Sequence, residues 1–115
     1  MPCVAYISDK MDTDSRAFTL DWSPILTYPE PIGLPDRIAQ SSWEFDAASP
    51  ATGSVSHDGF SAERAVSWCC VSGGSNGDVF HLNNTITTAG VQCGGVSMPP
   101  QTFVRQVRIR VRSTC

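Results

Sequence analysis

The sequence predicts an all-β fold, an antiparallel β-sandwich of domain size, on three observations. First, the runs 78–88 and 103–112 alternate apolar and polar residues with period two, as strands with one buried face do. Second, 9 Gly and 8 Pro in 115 residues punctuate the chain too often for long helices. Third, no stretch carries the 3.6-residue periodicity of an amphipathic helix. Hydrophobic residues make up 41% and charged residues 17%, enough apolar side chain to build a core and too little charge for a disordered tail.

Taken in order, residues 1–16 are polar, carry Asp9, Asp12 and Asp14, and are expected to form an N-terminal arm or a first extended segment. The sandwich is expected over 17–115. The run 17–22 (AFTLDW) is a strand with Phe18, Leu20 and Trp22 on one face. Pro24, Pro29, Pro31 and Pro35 break ladder pairing, so 23–37 is expected as a loop. The next strand, 38–45 (IAQSSWEF), puts Trp43 and Phe45 on one side, and 46–60 reads as a loop with a short strand near Val55. Residues 65–71 (AVSWCCV) form a strand. The Gly-rich turn 72–77 after it predicts a hairpin into 78–88, where Phe80, Leu82, Asn84 and Ile86 share a side. Gly90, Gly94, Gly95, Pro99 and Pro100 make 89–100 a long turn before the last strand.

Several function classes lose ground on composition. The net charge of −3 and a pI near 5.1 disfavour a nucleic-acid partner, which needs clustered cations. No run of about 18 apolar residues is present to span a membrane as a helix, and residues 1–10 lack the basic and apolar regions of a secretory leader. His57 and His81 fall in no nucleophile or metal motif, so catalytic residues, metal and cofactor are all expected to be none. The set Cys69, Cys70, His81 and Cys93 offers four ligand types, but neighbouring strand residues point to opposite faces and do not grip one tetrahedral ion. Asp9, Asp12 and Asp14 lack the Gly and distal Glu of a calcium loop. Asn83-Asn84-Thr85 is formally a glycosylation sequon, which without a leader carries no weight.

The segments LDWSPIL (20–26), DRIAQSSWEF (36–45), VSGGSNGDVFHLNNTITTAG (71–90) and VRIRVR (107–112) resemble a family of small immunoglobulin-like proteins. Its genes lie among the head and tail morphogenesis genes of tailed bacteriophages, and the match runs over roughly 18–112. The resemblance implies an immunoglobulin-like sandwich that serves as a structural virion protein. It would be assembled in the host cytoplasm and bind other virion proteins (neck, portal-proximal or capsid subunits) in many copies at the head-to-tail or collar region. Attachment to the major shell as a capsid decoration protein is the first alternative. A carbohydrate or cell-surface binding module is the second, and exposed tryptophans would favour it, whereas Trp22, Trp43 and Trp68 are expected in the core. The chain departs from the family in the longer, more apolar stretch 91–102 and in cysteines at strand positions.

Two residue sets are candidate contacts. Arg105, Arg108, Arg110 and Arg112 are expected on the solvent side of the last strand, keeping it soluble and pairing with partner carboxylates, with direct DNA contact the least favoured role. Five cysteines, Cys3, Cys69, Cys70, Cys93 and Cys115, leave an odd thiol in a monomer. Cys3 and Cys115, in the termini, are expected to link neighbouring subunits by disulfides. One of Cys69 and Cys70 is expected in the core, and the other within reach of Cys93.

Overall fold

A computed structural model describes residues 5–11, 15–28, 33–47, 49, 52–93 and 95–112. Among the described residues, nine strands and one helical turn run in the order β1 (Ala5–Met11), β2 (Arg16–Asp21), α1 (Ser23–Leu26), β3 (Ile38–Phe45), β4 (Gly53–Ser61), β5 (Val66–Gly73), β6 (Val79–Thr88), β7 (Val91–Cys93), β8 (Val96–Met98) and β9 (Thr102–Arg112). A four-stranded sheet, β1-β9-β6-β3, faces a three-stranded sheet, β2-β5-β4, and β7 and β8 form a separate ribbon. Every pairing is antiparallel except β1 with β9. The all-β antiparallel sandwich expected from the sequence is the fold observed.

Alternation decides what lies inside. Phe80, Leu82, Asn84, Ile86 and Thr88 are all buried on β6, while the residues between them are half-buried. Val107, Ile109 and Val111 of β9 fill the same layer. From the opposite sheet, Phe18 and Leu20 of β2 and Cys69 and Val71 of β5 meet them, with Trp22, Ile38 and Trp43 completing the cluster. Burying each large apolar side chain stabilises the fold by about 1.5–3 kcal/mol, so the two inner faces hold the layers together.

The structure corrects the sequence reading at several elements. Turn 72–77 does not close a hairpin. Both edges of β5 are taken by β2 and β4, and both edges of β6 by β3 and β9, so the turn carries the chain across to the other sheet. Gly73, Gly74 and Gly77 adopt positive φ there (85°, 97° and 92°). At Gly74 a side chain would also meet Val111 Cγ2 at 2.8 Å, so only glycine fits this crossing.

Within 89–100, expected as a plain turn, β7 and β8 pair antiparallel from Val91↔Met98 to Cys93↔Val96. The loop after β2 holds one turn of helix. Pro24 is suited to the start of a helix by its fixed φ, the Ser23 N–H donates to Asp21 Oδ1 at 2.9 Å, and Leu26 is buried beneath. Residues 5–11, expected as an arm or extended segment, are extended and lie parallel along β9 from Ala5↔Gln106 to Met11↔Arg112.

Candidate functional site

The two sheets are clamped by a buried polar cluster. Trp22 Nε1 donates to both Ser67 Oγ and Asn84 Oδ1, each at 3.0 Å, and Ser67 Oγ donates to the same Asn84 oxygen at 2.6 Å. The Asn84 amide nitrogen donates to Ser41 Oγ at 3.0 Å and to the Ser42 carbonyl at 2.9 Å. Trp22, Ser67 and Asn84 are fully buried, and their hydrogen-bonding groups satisfy one another at the centre of the sandwich. Sequence reading missed the cluster. Its one trace was Asn84, a polar residue on the apolar side of β6.

Arg105 belongs to this interior, which corrects its expected place in the solvent row. It shares parity with Val107, Ile109 and Val111 and therefore faces the core side of the sheet. Its guanidinium lies 4.7 Å from the centroid of the Trp22 ring, and Nη1 donates to the Asp21 carbonyl at 3.3 Å. A cation over an indole face is favoured by the ring quadrupole, so Arg105 caps the cluster.

Arg108 and Arg110 do stand exposed on the outer face. Around them this face carries Asn83, Thr85 and Gln106, with Gln106 Nε2 donating to Asn83 Oδ1 at 3.2 Å. His81 is half-buried here, with Nδ1 3.5 Å from Gln106 Oε1. Asp9 of β1 is the register partner of Arg110, and Arg112 pairs with Met11 at the end of the sheet. The Arg112 side chain lies outside the described residues.

The outer face of the second sheet is different in kind. Trp68, expected in the core, is 38% exposed. Both parities of 65–71 carry apolar residues, and the inner positions went to the smaller Ser67 and Cys69 because Trp22 and Asn84 already fill that space. The Trp68 indole rests on its cross-strand partner Gly59. A Cβ placed on Gly59 would meet indole Cε2, Cζ2 and Nε1, each at 2.9 Å. Beside it lie exposed Thr19, half-buried Cys70, and Ser54 and Ser72, whose hydroxyls hydrogen-bond at 2.8 Å.

Of the cysteines, Cys69 and Cys70 are free thiols, so neither forms the expected disulfide. Cys69 is fully buried, and burial pushes its thiol up to about 12. Cys3, Cys115 and the Cys93 side chain lie outside the described residues, and with them the expected pairings.

At one end of the sandwich a groove of about 410 Å³ is lined by Leu34, Pro35, Asp36, Arg37, Glu63 and Val91 among others. The Asp36 carboxylate is engaged in locking its own loop: Tyr28 Oη donates to Oδ2 at 3.0 Å and the Arg37 N–H to Oδ1 at 2.8 Å. Burial, then the bond to Asp36, raises the Tyr28 phenol above its ordinary value. Among the described residues, no three His, Cys, Asp or Glu side chains gather in a way that could hold a metal ion.

Residues 10–98 match the family model described as podophage GP4 fiber-tail adaptor protein gp77. Searches of curated proteins and of solved structures returned no match. The family model spans well over half of the chain: this protein belongs to the podophage GP4 fiber-tail adaptor protein gp77 family and is a structural component of a tailed-phage virion.

Proposed function

We propose that the chain is a non-catalytic adaptor, a rigid sandwich that joins two protein components of the tail at the head-to-tail or collar region. The observation that carries this reading is the outer row of β9, where Arg108 and Arg110 stand exposed on a face that also holds His81, Asn83, Thr85 and Gln106. A guanidinium fork pairs with carboxylates in a fixed, planar geometry, and arginine is enriched where proteins meet. The buried Trp22–Ser67–Asn84 cluster supports the reading by fixing the sheets against each other, so that a contact on one face has a rigid base.

The strand order supports an immunoglobulin-like type of sandwich. β2-β5-β4 follows the B-E-D order of such domains, β9-β6-β3 follows G-F-C, and Trp43 lies on the strand corresponding to C. Cys3 and Cys115 remain our candidates for disulfides between neighbouring subunits.

The test is a phage carrying Arg108→Glu. The side chain is exposed, so the purified variant should melt as the wild type does, while its copy number in purified particles should fall at least tenfold. Wild-type copy number would overturn the role of this row. Non-reducing gels of the same wild-type particles read the cysteines: a monomer band with all thiols alkylated would rule the disulfides out.

A further inference from the structure

The outer face of β1-β9-β6-β3 carries charge of both signs, sorted by strand. Arg108 and Arg110 stand on β9. Two strands away Glu44 stands on β3, with Asp46 just past its end, and all four are exposed. Trp43 is buried and Phe45 packs on the core, so Glu44 between them points outward, opposite Asn83 of β6. His81, Asn83 and Thr85 of β6 keep the basic and acidic rows apart. Among the described residues, Arg108 and Glu44 are engaged by no hydrogen bond or ion pair, so both are open to a partner.

We propose that this face pairs with the same face of a second copy of the chain, about a two-fold axis running along β6, so that Arg108 of each copy meets the acidic row of the other. The proposal rests on the adaptor reading above and names the body whose carboxylates the Arg row meets.

Charge selects the occupant. An acidic partner would be repelled by Glu44 and Asp46, and a basic one by Arg108 and Arg110. A fitting surface carries both signs in two rows separated by a double strand spacing, about 9.6 Å. The face itself is such a surface.

Register selects the axis. Arg108 lies opposite His81, and the Asp46 N–H donates to the His81 carbonyl at 2.7 Å, so Arg108 and Asp46 stand at one level along the strands. Glu44, opposite Asn83, is one outward position further, about 6.8 Å away. A two-fold axis along β6 keeps each level and exchanges left for right, which lays β9 of one copy over β3 of the other. Each Arg108 then faces Asp46 with Glu44 beside it. Packed sheets stand roughly 10 Å apart, a gap that an arginine and a facing carboxylate side chain together span. The other two-fold axis, running across the strands, lays β9 on β9 and opposes like charges.

Area permits the pair. At about 4.8 Å between strands and about 3.4 Å per residue, β9, β6 and β3 offer a face of roughly 500 Å². Two such faces bury roughly 1,000 Å², the size at which a specific but modest interface begins. Such a pair is reversible in dilute solution and favoured where copies are concentrated, as within a particle.

The experiment is sedimentation velocity of the purified chain up to about 0.1 mM, after melting confirms that each variant folds. Wild type should dimerise reversibly. Arg108→Glu sets acid against acid at both ends of the two-fold and should weaken the dimer at least tenfold. Glu44→Arg should weaken it several-fold, because Asp46 still attracts Arg108. Mixed one to one, the two variants should associate more tightly than either alone, since each chain supplies the charge that the other lacks.

A monomeric wild type, an unchanged Arg108→Glu dimer, or a mixture no tighter than its components overturns the pairing. Growth past the dimer would identify a head-to-tail contact and overturn it too. If wild type is monomeric and the Arg108→Glu chain is still lost from particles, the pairing fails and the adaptor reading stands. If wild type dimerises and the Arg108→Glu chain keeps wild-type copy number in particles, the adaptor reading fails and the pairing stands.

Discussion

Replacing Asn84 by alanine removes four hydrogen bonds from the centre of the sandwich: from Trp22 Nε1, from Ser67 Oγ, to Ser41 Oγ and to the Ser42 carbonyl. These losses are unequal. Trp22 Nε1 keeps Ser67 Oγ as an acceptor, and Ser41 is only half-buried, so water can replace its lost partner. The fully buried Ser67 hydroxyl loses its acceptor, while Ser42 is exposed, so water can replace the amide at its carbonyl. Leaving a buried polar group unsatisfied costs about 1–3 kcal/mol and the lost amide bonds add about 1 kcal/mol net, so Asn84→Ala should destabilise the fold by about 2–4 kcal/mol. That is a large part of the roughly 5–15 kcal/mol expected for a whole domain.

Ser67→Ala is the internal comparison. It leaves Trp22 bonded to Asn84 Oδ1 and orphans no group in the cluster, so it should cost only about 1 kcal/mol. Urea unfolding followed by far-ultraviolet circular dichroism measures both. Equal costs for the two single variants would refute the account of the cluster as mutually satisfied groups.

Two other predictions follow from single buried groups. Trp43 Nε1 is buried and has no hydrogen-bond partner among the described residues, so Trp43→Phe should change stability by less than about 1 kcal/mol, whereas Trp22→Phe breaks two bonds and should cost about 2 kcal/mol or more in the same urea assay. Cys69 is raised from an ordinary 9.0 to about 12, so between those values the folded chain keeps a proton that the unfolded chain releases. Stability should therefore be unaffected by this group below pH 9 and fall by about 1.4 kcal/mol per pH unit above it, a slope that Cys69→Val should reduce in melts from pH 8 to 10.5.

The sequence by itself determined the sandwich, because a strand with one buried face must alternate and both β6 and β9 do so over most of their length. It also placed Trp22, Trp43 and the apolar rows of those strands in the core. Arg105 was legible as well, since its parity with Val107 puts it on the inner side, but its charge suggested solvent until the Trp22 ring appeared beneath it.

Tertiary structure decided what local pattern leaves open. A Gly-rich turn serves a hairpin and a crossing between sheets equally, and only the occupied edges of β5 and β6 choose the crossing. The partner of β1 lies about a hundred residues away, beyond any local signal. Trp68 sits in a strand with apolar residues on both faces, where alternation names no inside. The side chains already filling the opposite sheet assigned the inner positions to Ser67 and Cys69 and turned the indole outward.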